Sequence, residues 1–249
     1  MNKRDFPKVH FYDQDFVDIY DRSWAWIQDY WITPDVKGLS PEGYFIYPDG
    51  EDSILNQYET IFSSFFFVYS NRNYHANQSL DFFYEHQEDS GAIRWKYDLL
   101  TGDPVLSKDN PEGIGLPLFA WAEFNLFHKT ANKKRIKDVM PVLQRYMAWI
   151  DETFKKPNGL YKVPLAATTM TNSPRKKATY LVDFNTTLAI NALVSKGENR
   201  FERPALDQIV ARALREVGQE ALGRLRIIED VRLVRALVGR GHAELAEPD

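Results

Sequence analysis

The chain has 249 residues, 44% of them apolar and 14% aromatic, with a net charge of −4 and no cysteine. That length allows one large domain or two small ones around a buried core. The charge leaves no electrostatic footprint for nucleic acid, and the missing cysteines exclude disulfides and thiolate metal sites. Residues 1–15 are charged and lack an apolar stretch, so no signal peptide is expected. Apolar runs as short as Phe65 to Val68 predict no membrane span. The expectation is a soluble, cytoplasmic protein.

The first predicted helix runs from about Asp13 to Trp31, with Phe16, Tyr20, Trp24, Ile27 and Trp31 at spacings of four and three. A stretch broken by Pro34, Gly38, Pro41, Gly43, Pro48 and Gly50 reads as loop. The next helix spans about Ile54 to Tyr69. It is apolar nearly all round, which predicts enclosure by other helices. A shorter helix covers about Gln78 to Glu88. Gly91 to Leu106 reads as a β-hairpin or ordered loop, with its turn at Thr101-Gly102-Asp103-Pro104.

Helix resumes from Pro117 to about His128. It is followed by Lys133 to Phe154, where Ile136, Val139, Leu143, Tyr146, Ile150 and Phe154 share one face. Pro141 predicts a kink or a fresh start inside that stretch, because proline has no N–H to donate. A last helix begins near Asp183. Helices dominate without alternating strands, which excludes a Rossmann-type fold and points to an all-α architecture with long loops.

Near residue 196 the residue usage changes. Residues 1–195 hold 34 of the 35 aromatics, with 14 Lys and 7 Arg; residues 196–249 hold 1 Lys and 9 Arg. Two units are therefore expected, 1–195 and an Arg/Ala/Leu-rich helical tail over 196–249. In the tail, Ile209, Ala213, Val217, Ala221 and Leu225 recur every four residues.

Two stretches carry more than helical periodicity. One is Pro117-Leu-Phe-Ala-Trp-Ala-Glu-Phe-Asn-Leu-Phe-His, followed by Met140-Pro-Val-Leu-Gln-Arg-Tyr-Met-Ala-Trp. The other is Thr169-Met-Thr-Asn-Ser-Pro-Arg175, with Val182-Asp-Phe-Asn185 downstream. Together they resemble the motif pair of six-hairpin glycoside hydrolases, the group that includes trehalases and processing α-glucosidases. The resemblance covers roughly residues 50–195. It implies an (α/α)6 toroid, of which this chain would hold only part. It also implies inverting hydrolysis of an α-glucosidic bond in a small carbohydrate substrate. An open toroid edge would favour self-association and leave Ile61 to Val68 short of partners, so a marginally stable, inactive chain is expected.

Inverting hydrolysis needs two carboxyl groups, one protonating the leaving oxygen and one activating water on the opposite ring face. The resemblance places its general acid at Thr171, whose hydroxyl cannot serve that role near neutral pH. Asp183 and Glu123 remain the candidate catalytic carboxylates. For Asp183 the competing role is a helix N-cap; for Glu123 it is a solvated helix face. Candidate sugar contacts are Arg175, Asn172, Thr171, Trp121, Gln57 and Glu59. Arg175 is equally suited to an ion pair, Trp121 to the core, and Asn172 to building its loop. Gln57 and Glu59 stand where the resemblance expects a Trp-Asp pair, which is absent. The five histidines have no ligand-like spacing, so no metal is expected, and no motif asks for a cofactor. A non-catalytic helical protein that binds sugar or a partner is the competing function.

Overall fold

The computed structural model describes residues 6, 8–33, 43–46, 53–70, 74–75, 77–168 and 180–195. Within them the fold is mostly helical, with two small antiparallel sheets. The helices are α1 (Gln14–Asp29), α2 (Gln57–Phe67), α3 (Gln78–Glu85), α4 (Phe119–Thr130), α5 (Lys133–Phe154) and α6 (Val182–Ser195). No helix among the described residues is long and apolar enough to cross a membrane.

Three helices, α1, α2 and α5, are capped by the residue just before them. Asp13 caps α1 by accepting from the Asp15 N–H, and Asn56 caps α2 by accepting from the Tyr58 N–H, both at 3.0 Å. Asn132 caps α5 through the Arg135 N–H at 3.1 Å. At α4 the cap comes from far away: Asn191 Oδ1 on α6 accepts the Ala120 N–H at 2.7 Å. Ala131 (φ 51°) ends α4 in the left-handed conformation, which turns the chain directly into α5.

Two expectations for single segments change. Ile54–Asn56 forms a strand, β3, instead of the first turn of α2. It pairs with β4 (Lys96–Asp98) in the register Ile54↔Asp98, Leu55↔Tyr97 and Asn56↔Lys96. The backbone groups of residues 54–56 find partners across a gap of about 40 residues, and no local pattern announces that. Pro141 does not break α5, which runs unbroken for 22 residues. The helices expected near 13–31, 78–88, 117–128 and 133–154 and from near 183 are present, the first ending at Asp29, whereas the helical tail expected over 196–249 lies outside the described residues. Lys96–Asp98 folds back on Asp103–Val105, with Val105 N–H donating to the Lys96 carbonyl at 3.0 Å, so part of the 91–106 segment is the expected hairpin.

The core is aromatic at its centre. Phe83, Phe119 and Tyr146 are fully buried, and their rings meet at centroid separations of 5.5 and 5.7 Å, Phe119 in the middle. Of the α5 stripe, Val139, Leu143, Tyr146, Ile150 and Phe154 are buried. The expected enclosure of α2 is one-sided: Ile61 and Phe67 are buried, whereas Tyr58, Phe62 and Phe66 are exposed. That exposed side meets the α4 residue Trp121, whose ring packs edge-on against Phe62 and Phe65 at 5.8 and 4.7 Å. The second of the two short sheets, β1 (Trp31–Ile32) with β2 (Tyr44–Phe45), follows α1.

Candidate functional site

The start of α2 is held by side-chain and backbone bonds to two distant segments. Gln57 is buried, and its backbone N–H donates to the Trp95 carbonyl at 2.7 Å. Its side-chain Nε2 donates to the Leu116 carbonyl at 2.9 Å. One residue thus ties α2 to the strand end at 95 and to the extended run before α4. Gly115 is required beside it, since a Cβ there would land on Gln57 Oε1 and lie 3.0 Å from the Trp95 Cβ.

Gln57, Glu59, Trp95, Gly115 and Thr168 surround a cavity of about 270 Å³, with Tyr58 at its edge. Thr168 closes one side and donates its hydroxyl to Asp183 Oδ2. Asp183 lies in the first turn of α6, one residue after the helix begins, where the helix dipole favours a carboxylate. Its other oxygen, Oδ1, is buried without a hydrogen-bond partner, as are Gln57 Oε1 and Trp95 Nε1. Buried polar atoms are nearly always satisfied. Unsatisfied acceptors and a donor here lie at or beside one small cavity.

Glu123 is elsewhere and fully engaged. It is buried on α4, where Oε2 accepts from Arg135 Nε and Oε1 from Arg135 Nη2, both at 2.8 Å. Tyr84 adds its hydroxyl to Oε1 at 2.9 Å, and Arg135 Nη1 reaches Asp81 at 2.8 Å. Burial alone would lower the Arg135 pKa, but the hydrogen bonds and charge of Glu123 raise it beyond its ordinary value. Burial, reinforced by Glu123, also holds the Tyr84 hydroxyl protonated far above the usual range. The cluster borders a separate hollow of about 730 Å³ between α3, α4 and α5. Glu123 is neither a solvated helix residue nor a carboxylate with a spare oxygen for substrate.

Trp121 is half-buried and lines a third hollow, of about 280 Å³, with Phe62, Phe65, Tyr69, Asn125 and Lys129. Of the candidate residues, then, Gln57 and Glu59 line one cavity, Asp183 is joined to it only through the Thr168 hydroxyl, Glu123 and Trp121 lie elsewhere, and Thr171, Asn172 and Arg175 lie outside the described residues. Trp95 and Thr168 are site residues the sequence alone did not single out. The motif order hinted at Thr168, which directly precedes the Thr169–Arg175 stretch. Trp95 had no such signal. Among the described residues no group of three His, Asp or Glu side chains is placed to hold a metal ion.

Asn185, which follows the Val182-Asp183 pair, is structural. Its Oδ1 accepts the Tyr161 N–H at 2.9 Å and its Nδ2 donates to the Leu181 carbonyl at 2.9 Å. It binds the 155–161 turn to α6 and so fixes the helix end that carries Asp183.

Compared with known proteins, the chain is 47% identical over 193 residues to an uncharacterized protein of Borreliella burgdorferi, an alignment covering 77% of this chain and 40% of that protein. The chain thus spans 40% of the length of the curated relative it matches. No family model matches the chain. No solved structure matches it either.

Proposed function

We propose that the chain carries part of a sugar-binding site of glycoside-hydrolase type, directed at an α-glucosidic bond, with one sugar ring seated in the Gln57–Trp95–Asp183 cavity. The observation that carries this reading is one cavity lined by two of the candidate residues and tied by a hydrogen bond to a third. The two α2 residues line it, and Asp183 reaches it through Thr168. At about 270 Å³ the cavity sits just below the usual range for small-molecule sites, which begins at about 300 Å³. That size suits a single ring better than a chain of rings. Trp95 and Tyr58 offer aromatic surface to the C–H faces of a sugar, and Gln57, Glu59 and Thr168 offer polar atoms to its hydroxyls, with Asp183 behind Thr168.

In this reading Glu59, not Glu123, joins Asp183 as the carboxylate pair facing the substrate. Hydrolysis requires one carboxyl group to give its proton to the glycosidic oxygen as the C1–O bond breaks. The other takes a proton from the water that attacks C1. The fold reading that accompanies it is a toroid of helical hairpins, supported by the helix pairs α2–α4, α4–α5 and α4–α6 packed side by side.

Incubating a full-length relative with trehalose and other α-glucosides, and following glucose release, tests the reading. Release by that relative, with none from the 249-residue chain, is the expected result. Absence of release from every α-glucoside would overturn the hydrolytic part. The second reading is sugar binding without turnover, favoured by Thr171 at the position where the resemblance expects an acid. Saturable binding without glucose release would select it.

A further inference from the structure

Helix α1 and the residues just before it carry two apolar stripes, one packed on the core and the other largely exposed, with Phe11 against Tyr12 and Phe16 at one end and Tyr30 against Trp26 at the other. Trp24 faces the core, with Phe6 stacked on it at 4.6 Å. The other stripe, Tyr12, Phe16, Ile19 and Trp26, is 92%, 59%, 59% and 67% exposed. With Ser23 it occupies positions 12, 16, 19, 23 and 26, alternating steps of four and three. That is the spacing of a seam made to receive a second helix, and lone exposed apolar residues would not repeat with it. The helix that carries it is strongly acidic. Over residues 13–29, five aspartates stand against Arg22 alone, a net charge of −4.

The occupant should therefore be an apolar helical stripe with a surplus of positive charge. A second copy of α1 would set like charges against each other. The chain itself supplies a matching sequence. Residues 209–240 hold seven arginines against four acidic residues, net +3, around the Ile209, Ala213, Val217, Ala221 and Leu225 periodicity. The 13 residues from 196 to 208 can span at most about 43–47 Å. A compact domain of about 195 residues has a radius of gyration near 16 Å, so this leash reaches any face. We infer that the Arg-rich segment 209–240 docks in cis on the exposed acidic stripe of α1. The docked segment shields Phe16, Ile19 and Trp26 from water, and its arginines face the aspartates. The inference stands apart from the sugar-site reading, since α1 contributes nothing to that cavity.

The absence of cysteine makes the test direct. Ile19→Cys introduces a single thiol at the middle of the stripe, and its maleimide labelling is timed in the full chain. Docking predicts labelling at least fivefold slower at 0.05 M than at 1 M salt, because the Debye length falls to about 3 Å at 1 M. It also predicts loss of that protection when Arg212, Arg215, Arg224 and Arg226 are changed to Glu. If the reversed chain fails to fold, the salt series in the parent chain decides alone. A second thiol from Val217→Cys, joined by a short bis-maleimide, should give a cross-link within one chain. Labelling at one rate under all conditions would overturn the inference. Cross-links found only between chains would overturn it in favour of a second copy, and no cross-link at all would overturn it in favour of an external basic helix.

Discussion

Arg135 grips Glu123 through two parallel hydrogen bonds of 2.8 Å, in a setting where the Glu123 side chain is 2% exposed and the Arg135 side chain 14%. A buried pair of this kind adds little net stability over a well-packed apolar pair, but removing one partner strands the other charge. Glu123→Gln or Arg135→Ala should each cost about 3–5 kcal/mol of unfolding free energy, read as a drop in the urea midpoint. Replacing both together by apolar residues of similar volume should cost clearly less than either alone. A Glu123→Gln variant with parent-like stability would show that the cluster does not anchor α4 to α5. Sugar binding in any Glu123 variant that folds should match the parent.

The backbone offers a sharper test at Gly91. Its φ of 90° lies in the region that disfavours side chains, and a Cβ there would come within 2.6 Å of the Arg145 carbonyl oxygen on α5. Gly91→Ala should destabilise the chain by at least about 1–3 kcal/mol, through strain and displacement of the loop from α5. Equal thermal stability of parent and variant would contradict the close approach of this loop to α5.

The pH dependence of stability has an assignable contributor in Glu88. Arg94 Nε and Nη2 both reach the Glu88 carboxylate at 2.6 Å, and these hydrogen bonds hold its pKa below the ordinary value of 4.5. A folded-state pKa below the unfolded one means that the proton binds the unfolded chain more tightly. The contribution is therefore fully present above about pH 4.5 and fades as the pH falls through the lower, folded value. Glu88→Gln should lower stability at pH 7 and converge on the parent in strong acid, as followed by urea unfolding at several pH values. A gap that stays constant down to pH 2 would assign the effect to packing instead.

Thr168 positions Asp183 and does not itself perform chemistry. Thr168→Val removes the hydroxyl donor while keeping the shape, and it should weaken sugar binding by about tenfold, on the order of 1.4 kcal/mol. Thr168→Ser should restore most of it. If Val and Ser variants bind alike, the Thr168–Asp183 hydrogen bond is not what orients the carboxylate.

Much of the helical framework was legible, because periodic burial dictates it. The α5 stripe from Val139 to Phe154 is buried as its spacing requires, and the starts of α1 and α2 carry their Asp and Asn caps in the sequence. What could not be read was pairing across distance. Ile54–Asn56 is a strand only because Lys96–Asp98 lies beside it, and α4 is capped only because Asn191 arrives from α6. The same reason hid the fate of Glu123. Its partner Arg135 is twelve residues on, across the turn at Ala131, and no local rule links such positions. The candidate site was less legible. Asp183 stood out by motif, Gln57 and Glu59 only by standing where the resemblance expects an absent Trp-Asp pair, and Trp95 lines the cavity beside a strand pairing that no motif records.

The most direct test of the sugar-site reading is equilibrium titration of the full chain with trehalose and glucose by calorimetry, beside Gln57→Ala and Trp95→Phe. Both variants remove a cavity-lining polar group and leave Glu123 and Arg135 untouched. The account predicts saturable binding of one ring per chain, weakened at least tenfold in each variant and unchanged in a charge variant at the exposed Lys134. Absence of saturable binding by the folded parent, or binding indifferent to Gln57 and Trp95, would contradict it.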